Sequence, residues 1–389
     1  MIRKQMAKMK LRGQLMRAFK LGGIYKEIRT DTKVYKRFPK IHEVHLDQTV
    51  KGVRFTFTLP DGCSPDLVLK QDWVFKQCFG NFLEISGKVK KFVLWVYTED
   101  LTQFLKYDYA SLQPLLEKKK LPIVCGQDRQ QKMNVLDMEK LHHMLLTGTT
   151  GSGKSSLIRA ILTSLMLNKS EGEVKFLLGD LKFSEFGIYK RMPHVLGVCM
   201  DSTTLLPALK LIEKEMERRG QLLDKMDVEH ISELPTKLPS IIVCIDEVIL
   251  LKDNKKIMNI IESISCIGRS NGIYLLLSLQ RGDSKALTGQ LKNNLTFRMS
   301  GKQSDEINAR ISGLKQSANL DVVGRMVLQT PKGEKELQVP FMDKQTAKKL
   351  LEPLKKTPTP PTDPSTQDTA VSSIPDDIED FPVMGGKHS

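Results

Sequence analysis

No stretch of the 389 residues approaches the ~20 apolar positions that a membrane-crossing helix needs. The first residues are charged and lack an apolar core, which excludes a secretory signal. The six cysteines (Cys63, Cys78, Cys125, Cys199, Cys244 and Cys266) are widely spaced, with no C-x-x-C pair. That spacing fits reduced thiols in a cytoplasmic protein and gives no metal site. His42 and His45 lack Cys or carboxylate partners at ligand spacing and read as a solvated strand edge. Acidic residues are also scarce: 45 Asp and Glu face 60 Lys and Arg, a formal net charge of +15. An excess of that size points to an anionic partner, nucleic acid or an acidic membrane face.

The charge is unevenly placed. Residues 1–40 hold 13 Lys and Arg against 2 acidic residues, whereas residues 357–389 hold 1 against 6. Segment 1–40 reads as a basic arm whose Ile2, Met6, Met9, Leu15, Met16 and Phe19 have loosely helical spacing. A basic amphipathic helix on DNA, the same helix on anionic lipid, and a solvated arm all fit. Residues 41–120 read as a small α+β domain. Val53, Phe55, Phe57 and Leu59 alternate as in a half-buried strand, 66–79 is helical, and 92–97 is a second strand.

Residues 121–355 form the largest unit. Apolar runs at 144–147, 174–180, 241–246, 273–280 and 295–300 alternate with helical patterns at 155–168, 203–226 and 257–268. Strands alternating with helices predict an α/β domain with a parallel sheet covered on both faces. From 356 the chain turns Pro-rich and acidic, which predicts a disordered tail.

The chemistry lies in Gly148-Thr149-Thr150-Gly151-Ser152-Gly153-Lys154-Ser155, a full G-x-x-x-x-G-K-[ST] phosphate loop between a strand and a helix. Its glycines let main-chain N–H groups turn inward around phosphates, and the helix N-terminus adds partial positive charge. Lys154 is placed for the β- and γ-phosphates of ATP, and Ser155 for Mg²⁺. Asp246 and Glu247 end the apolar run 241–245. Asp246 is a second Mg²⁺ ligand, and Glu247 is placed to polarise the attacking water. A kinase of this fold has no need of Glu247, so the pair favours ATP hydrolysis. Gln280, at the end of the next strand, is placed as a γ-phosphate sensor.

These elements, taken in order, resemble the FtsK/SpoIIIE family of DNA translocases. The resemblance runs over about residues 50–345. It rests on 121–128, 141–155, Gly179-Asp180-Leu181-Lys182, 192–196, 215–219, 238–247 and 269–281. It implies a RecA-like P-loop motor domain over 121–355 with a β partner domain over 50–110. It further implies a homo-hexameric ring around DNA, with ATP between subunits and an arginine finger from the neighbour. Arg269 and Arg298 are the finger candidates. Arg281 and Lys285 resemble the family's pore loop and would contact DNA phosphates. Leu181 stands where the family has Pro, and Gly282 departs from its Gln-Arg-Pro.

Membrane spans and a winged-helix domain, found in the cell-division members, have no counterpart here. That absence implies a mobile-element motor resembling conjugative coupling proteins, with a relaxase or another mobile-element protein as partner. The site is expected to be cytoplasmic, with a weak peripheral membrane contact through the basic arm. An ATP-switched adaptor for a relaxosome or replication complex and a single-strand DNA helicase are the alternative functions.

Overall fold

The computed structural model describes residues 2–30, 33–280, 288–330 and 333–355. The chain divides into two compact units, residues 1–101 with 129–131, and residues 102–128 with 132 onward.

The first unit contains α1 (Ile2–Leu21), β1 (Lys26–Arg29), β2 (Val34–Arg37), β3 (Lys40–Asp47) and β4 (Gly52–Thr58). It continues through α2 (Asp66–Leu69), α3 (Asp72–Phe79), β5 (Leu83–Gly87) and β6 (Lys91–Tyr97). Strands β3-β4-β6-β5 form an antiparallel sheet, and β1-β2 a separate two-stranded ribbon. Phe55, Phe57, Phe92 and Leu94 fill one core with Leu15, Ala18 and Phe19 of α1. The Phe19 ring sits 5.0 Å from Phe57 and edge-on to Phe75 at 6.3 Å.

Residues 1–40 are therefore no separate arm. The apolar face of α1 is part of the sheet's core, because a four-stranded sheet with one apolar face needs a cover. Trp95 and Tyr97, on one strand, stack at 5.9 Å.

The second unit begins with β7 (Leu105–Lys106), α4 (Tyr109–Leu116), β8 (Pro122–Gln127), β9 (Met133–Asp137), α5 (Met138–Leu141) and β10 (Met144–Thr147). Next come α6 (Lys154–Asn168), β11 (Val174–Asp180), β12 (Val195–Cys199), α7 (Ser202–Met226) and β13 (Ser240–Asp246). Then follow α8 (Lys255–Ile267), β14 (Ile273–Leu279), α9 (Gly289–Asn294), β15 (Phe297–Ser300) and α10 (Glu306–Ser312). Strands β16 (Arg325–Thr330), β17 (Gly333–Gln338) and β18 (Pro340–Phe341) precede α11 (Lys344–Leu351).

The boundary thus lies at 101/102 and not at 120/121. Residues 102–120 are tied to the second unit by β7–β18 pairing and by two tyrosines: Tyr107 Oη lies 2.7 Å from Ser164 Oγ, and Tyr109 Oη donates to Leu167 O at 3.0 Å. An apolar pattern alone does not reveal such ties.

A ten-stranded sheet runs β12-β11-β13-β14-β10-β15-β16-β17-β8-β9. The first six strands are mutually parallel, and the rest pair antiparallel. The expected parallel sheet is correct for that first part. The antiparallel extension escapes a pattern reading because its strands come from 122–137 and 325–338, far apart in sequence.

Side chains of the parallel strands alternate between two cores. Leu146, Phe176, Ile242, Cys244 and Leu276 pack with α6, and Leu145, Leu177, Val243, Ile245 and Leu275 pack with α7 and α8. Burial on both faces explains the unbroken apolar runs. Because β14 lies between β13 and β10, the carboxyl ends carrying Asp246, Leu279 and Thr147 are neighbours.

Candidate functional site

The phosphate loop leaves β10 and enters α6 across Gly148–Gly153. It is held from behind. Thr149 donates its N–H and its Oγ1 to Lys302 O at 2.9 and 3.0 Å, and Gly324 N–H donates to Ser152 O at 3.1 Å. Gly153 has φ +97°, and a Cβ there would lie 2.8 Å from Gly324 Cα, so only glycine fits. Among the described residues, nothing accepts from the N–H groups of Gly151 and Gly153. The buried Ser152 Oγ also has no partner there. Unpaired N–H groups at a helix N-terminus suit a phosphate.

Lys154 opens α6 and is buried. Its Nζ donates to Ser278 Oγ at 3.1 Å, and Ser278 Oγ donates to Asp246 Oδ1 at 2.8 Å. Burial pushes the Lys154 ammonium below its ordinary pKa, against the pull of Asp246 and Glu247. An ammonium desolvated in this way is primed for an anionic ligand.

Glu247 is buried, and both of its oxygens are engaged. Oε1 accepts from Gln280 N–H at 3.0 Å, and Oε2 accepts from Lys182 Nζ at 2.8 Å with Lys154 Nζ at 4.0 Å. Its φ of +61° is left-handed, an unfavourable region for a non-glycine residue. That strain turns the chain out of β13 and aims the carboxylate back at the crevice. The loop carrying Lys182 is wrapped on the buried Asp180, which accepts N–H bonds from Ser184, Glu185 and Phe186 at 3.0, 2.9 and 2.8 Å.

Lys154, Asp246, Glu247 and Gln280 thus meet in one crevice, Gln280 through its main-chain N–H. Ser278 and Lys182 join them without having been singled out for the site. Ser278 was legible only as one hydroxyl inside the apolar strand 273–279. Lys182 was legible only as part of 179–182.

Arg269 is exposed and precedes β14, at the opposite end of the sheet from the phosphate loop. Arg298 turns into its own subunit, where Nε donates to Leu295 O at 2.6 Å and Nη2 to Lys292 O. Arg281 and Lys285 lie outside the described residues. The hydroxyl of Ser155 and the carboxylate of Asp246 are hard oxygen donors of the kind Mg²⁺ prefers.

Residues 105–237 match the FtsK/SpoIIIE family model. The chain is 31% identical over 250 residues to the DNA translocase FtsK of Helicobacter pylori (strain ATCC 700392 / 26695), covering 60% of this chain and 29% of that protein. It is 31% identical over 227 residues to the FtsK of Staphylococcus aureus (strain Mu50), covering 53% and 29%. The chain therefore spans under a third of the length of those translocases.

Among solved structures, the pCW3 conjugation coupling protein TcpA with ATPγS superposes with a TM-score of 0.60. Identity is 22%, and the match covers 88% of this chain and 99% of TcpA. EssC (ATPases 2 and 3) from Geobacillus thermodenitrificans gives a TM-score of 0.58 at 19% identity, over 66% and 52%. These likenesses show a shared P-loop ATPase fold. Among the described residues, no helix is long and apolar enough to cross a membrane. Residues 105–237 thus match the FtsK/SpoIIIE family model within a P-loop ATPase fold.

Proposed function

We propose that the protein is an ATP-hydrolysing motor that moves DNA. The observation that carries this reading is the buried crevice where Lys154, Ser278, Asp246 and Glu247 meet at adjoining strand ends. The triphosphate lies along the N–H groups of the loop, with Lys154 on its β- and γ-phosphates. Ser155 and Asp246 would hold Mg²⁺, which would supply charge neutralisation at the phosphate oxygens. Glu247 orients the attacking water and takes its proton through Oε1, once that oxygen is released from the Gln280 N–H, while Lys182 holds Oε2 in place. Ser278 keeps Lys154 and Asp246 in register.

DNA as the cargo is supported by the relatives named DNA translocase. A setting in conjugative DNA transfer is supported by the likeness to TcpA over nearly the whole of both chains. The ring, a homo-hexamer, would take its finger from the exposed Arg269 more readily than from Arg298, whose guanidinium is occupied.

The test is ATP turnover with and without duplex DNA. Glu247→Gln is expected to lower DNA-stimulated turnover about 10²–10⁴-fold while retaining bound nucleotide. Lys154→Ala is expected to lose nucleotide affinity as well. Full activity in Glu247→Gln would remove the mechanism.

A further inference from the structure

The N-terminal unit carries a cationic surface with no role in the ATP site. Over Ile2–Leu21, helix α1 has seven Lys and Arg and no acidic residue. Leu15, Ala18 and Phe19 turn inward, which leaves Arg3, Lys10 and Arg17, seven residues apart, on one exposed outer stripe with Lys20. From Arg3 to Lys20 that stripe is about 25 Å long. The helix is pinned in place by Arg12, whose Nη2 donates to Ile41 O at 3.0 Å, and by Gln14, whose Nε2 donates to Cys78 O at 2.5 Å.

The ribbon β1–β2 of the same unit is also cationic, with four Lys and Arg against Glu27. All eight of its residues are exposed, and among the described residues no further strand pairs with it. Lys26 faces Arg37 across the ribbon, a like-charge pair that costs stability in water. A two-stranded ribbon open on both faces is marginal by itself.

Ion pairs are sparser on this surface than over the rest of the unit, where Lys40, Lys88 and Lys91 meet no carboxylate among the described residues but several other cations do. Lys51, Arg54, Lys70, Lys76 and Lys90 each meet a carboxylate at 2.6–3.1 Å. Among the described residues, Lys10, Arg17, Lys20, Arg29 and Arg37 meet none. The unit has carboxylates to share and leaves these cations without them.

We infer that the outer stripe of α1 and the β1–β2 ribbon are a docking surface for the phosphate backbone of duplex DNA, separate from the ATP site. A row of cations about 25 Å long matches a repeating polyanion, with a phosphate every 3.4 Å per strand, better than it matches a small anion. A two-stranded ribbon also has the width of the major groove. A lipid surface fits less well. An interfacial helix sinks a continuous apolar face into the bilayer, and here that face is already spent on Phe57 and Phe75. Among the described residues, Met6, Met9 and Leu21 are large apolar side chains that α1 leaves exposed, interspersed with cations.

The choice of DNA as the polyanion rests on the translocase reading, and the two are tested separately. In the full chain, Lys10, Arg17, Lys20, Arg29 and Arg37 are changed together to Gln. Binding of a 30-base-pair duplex of arbitrary sequence is followed by fluorescence anisotropy across a salt series. Affinity is expected to fall at least about tenfold, and the log–log salt slope to become shallower by about 3. Thermal unfolding should stay near that of the parent, since all five side chains are exposed.

Unchanged affinity and slope would overturn the inference. So would loss of binding to phosphatidylserine-containing vesicles with duplex binding intact, which would assign the surface to lipid. Hydrolysis plays no part in this assay. A chain that binds duplex through this surface but shows no DNA-stimulated ATPase would refute the motor and leave the surface standing.

Discussion

Lys154 and Lys182 reach the buried Glu247 at 4.0 and 2.8 Å, whereas Lys10, Arg17 and Lys20 face solvent with no carboxylate partner among the described residues. The residue types are the same, and the surroundings assign opposite tasks. In the ATP-site unit a few cations are desolvated and fixed by neighbours, so each acts at one point. In the N-terminal unit many cations are hydrated and arranged in a row, so they act through summed charge. Removing one cation should therefore be severe in the first unit, and removing several should be graded in the second.

Arg219 is the most demanding case. It is fully buried on α7 and donates to Glu215 Oε1 at 2.6 Å, Asn271 O at 2.8 Å and Pro239 O at 2.9 Å. Arg219→Met leaves the Asn271 and Pro239 carbonyls without their donor, while Glu215 keeps Arg218, and should lower unfolding stability by about 2–4 kcal/mol, read from the urea midpoint. A loss under about 1 kcal/mol would show that burial does not set the cost of losing a cation here.

His143 sharpens the contrast from the other side. It is a buried base with no carboxylate partner among the described residues, and its Nδ1 accepts from Leu275 N–H at 3.1 Å. Burial, with His142 beside it, pushes its pKa down to about 4. Between about pH 6.5 and 4 the unfolded chain then binds the extra proton, so stability falls as pH drops through that window. The full effect is about 3 kcal/mol. It should appear as the difference in acid sensitivity between the parent and His143→Asn.

The smallest effect concerns Lys182. Lys182→Met removes one charge-assisted hydrogen bond from Glu247, so turnover should fall about tenfold with nucleotide affinity nearly kept. Lys182→Arg should restore most of the rate. A drop in affinity instead would make Lys182 a phosphate ligand and not a positioning residue for Glu247.

Much of the ATP-site unit is legible in the sequence. Strands β10, β11 and β13–β15 and helices α6–α8 fall where periodicity placed them, within one or two residues. A central parallel strand must be apolar on both faces, and a phosphate loop must have glycine where its backbone turns. The N-terminal segment was misread as an arm for a reason of the same kind. Its apolar spacing is loose, and Phe19 finds its partners 38 and 56 residues later, in Phe57 and Phe75.

The sequence by itself determined the phosphate loop, the Asp246–Glu247 strand end, the alternating strand–helix order and the surplus of cations. Each depends on residues close together in the chain, where spacing alone sets geometry. Tertiary structure decided what depends on contacts between distant segments. It set Ser278 between Lys154 and Asp246, and closed Lys182 onto Glu247 across 65 positions. It extended the sheet with antiparallel strands from both ends of the second unit, and turned Leu15, Ala18 and Phe19 of α1 inward so that its cations face out.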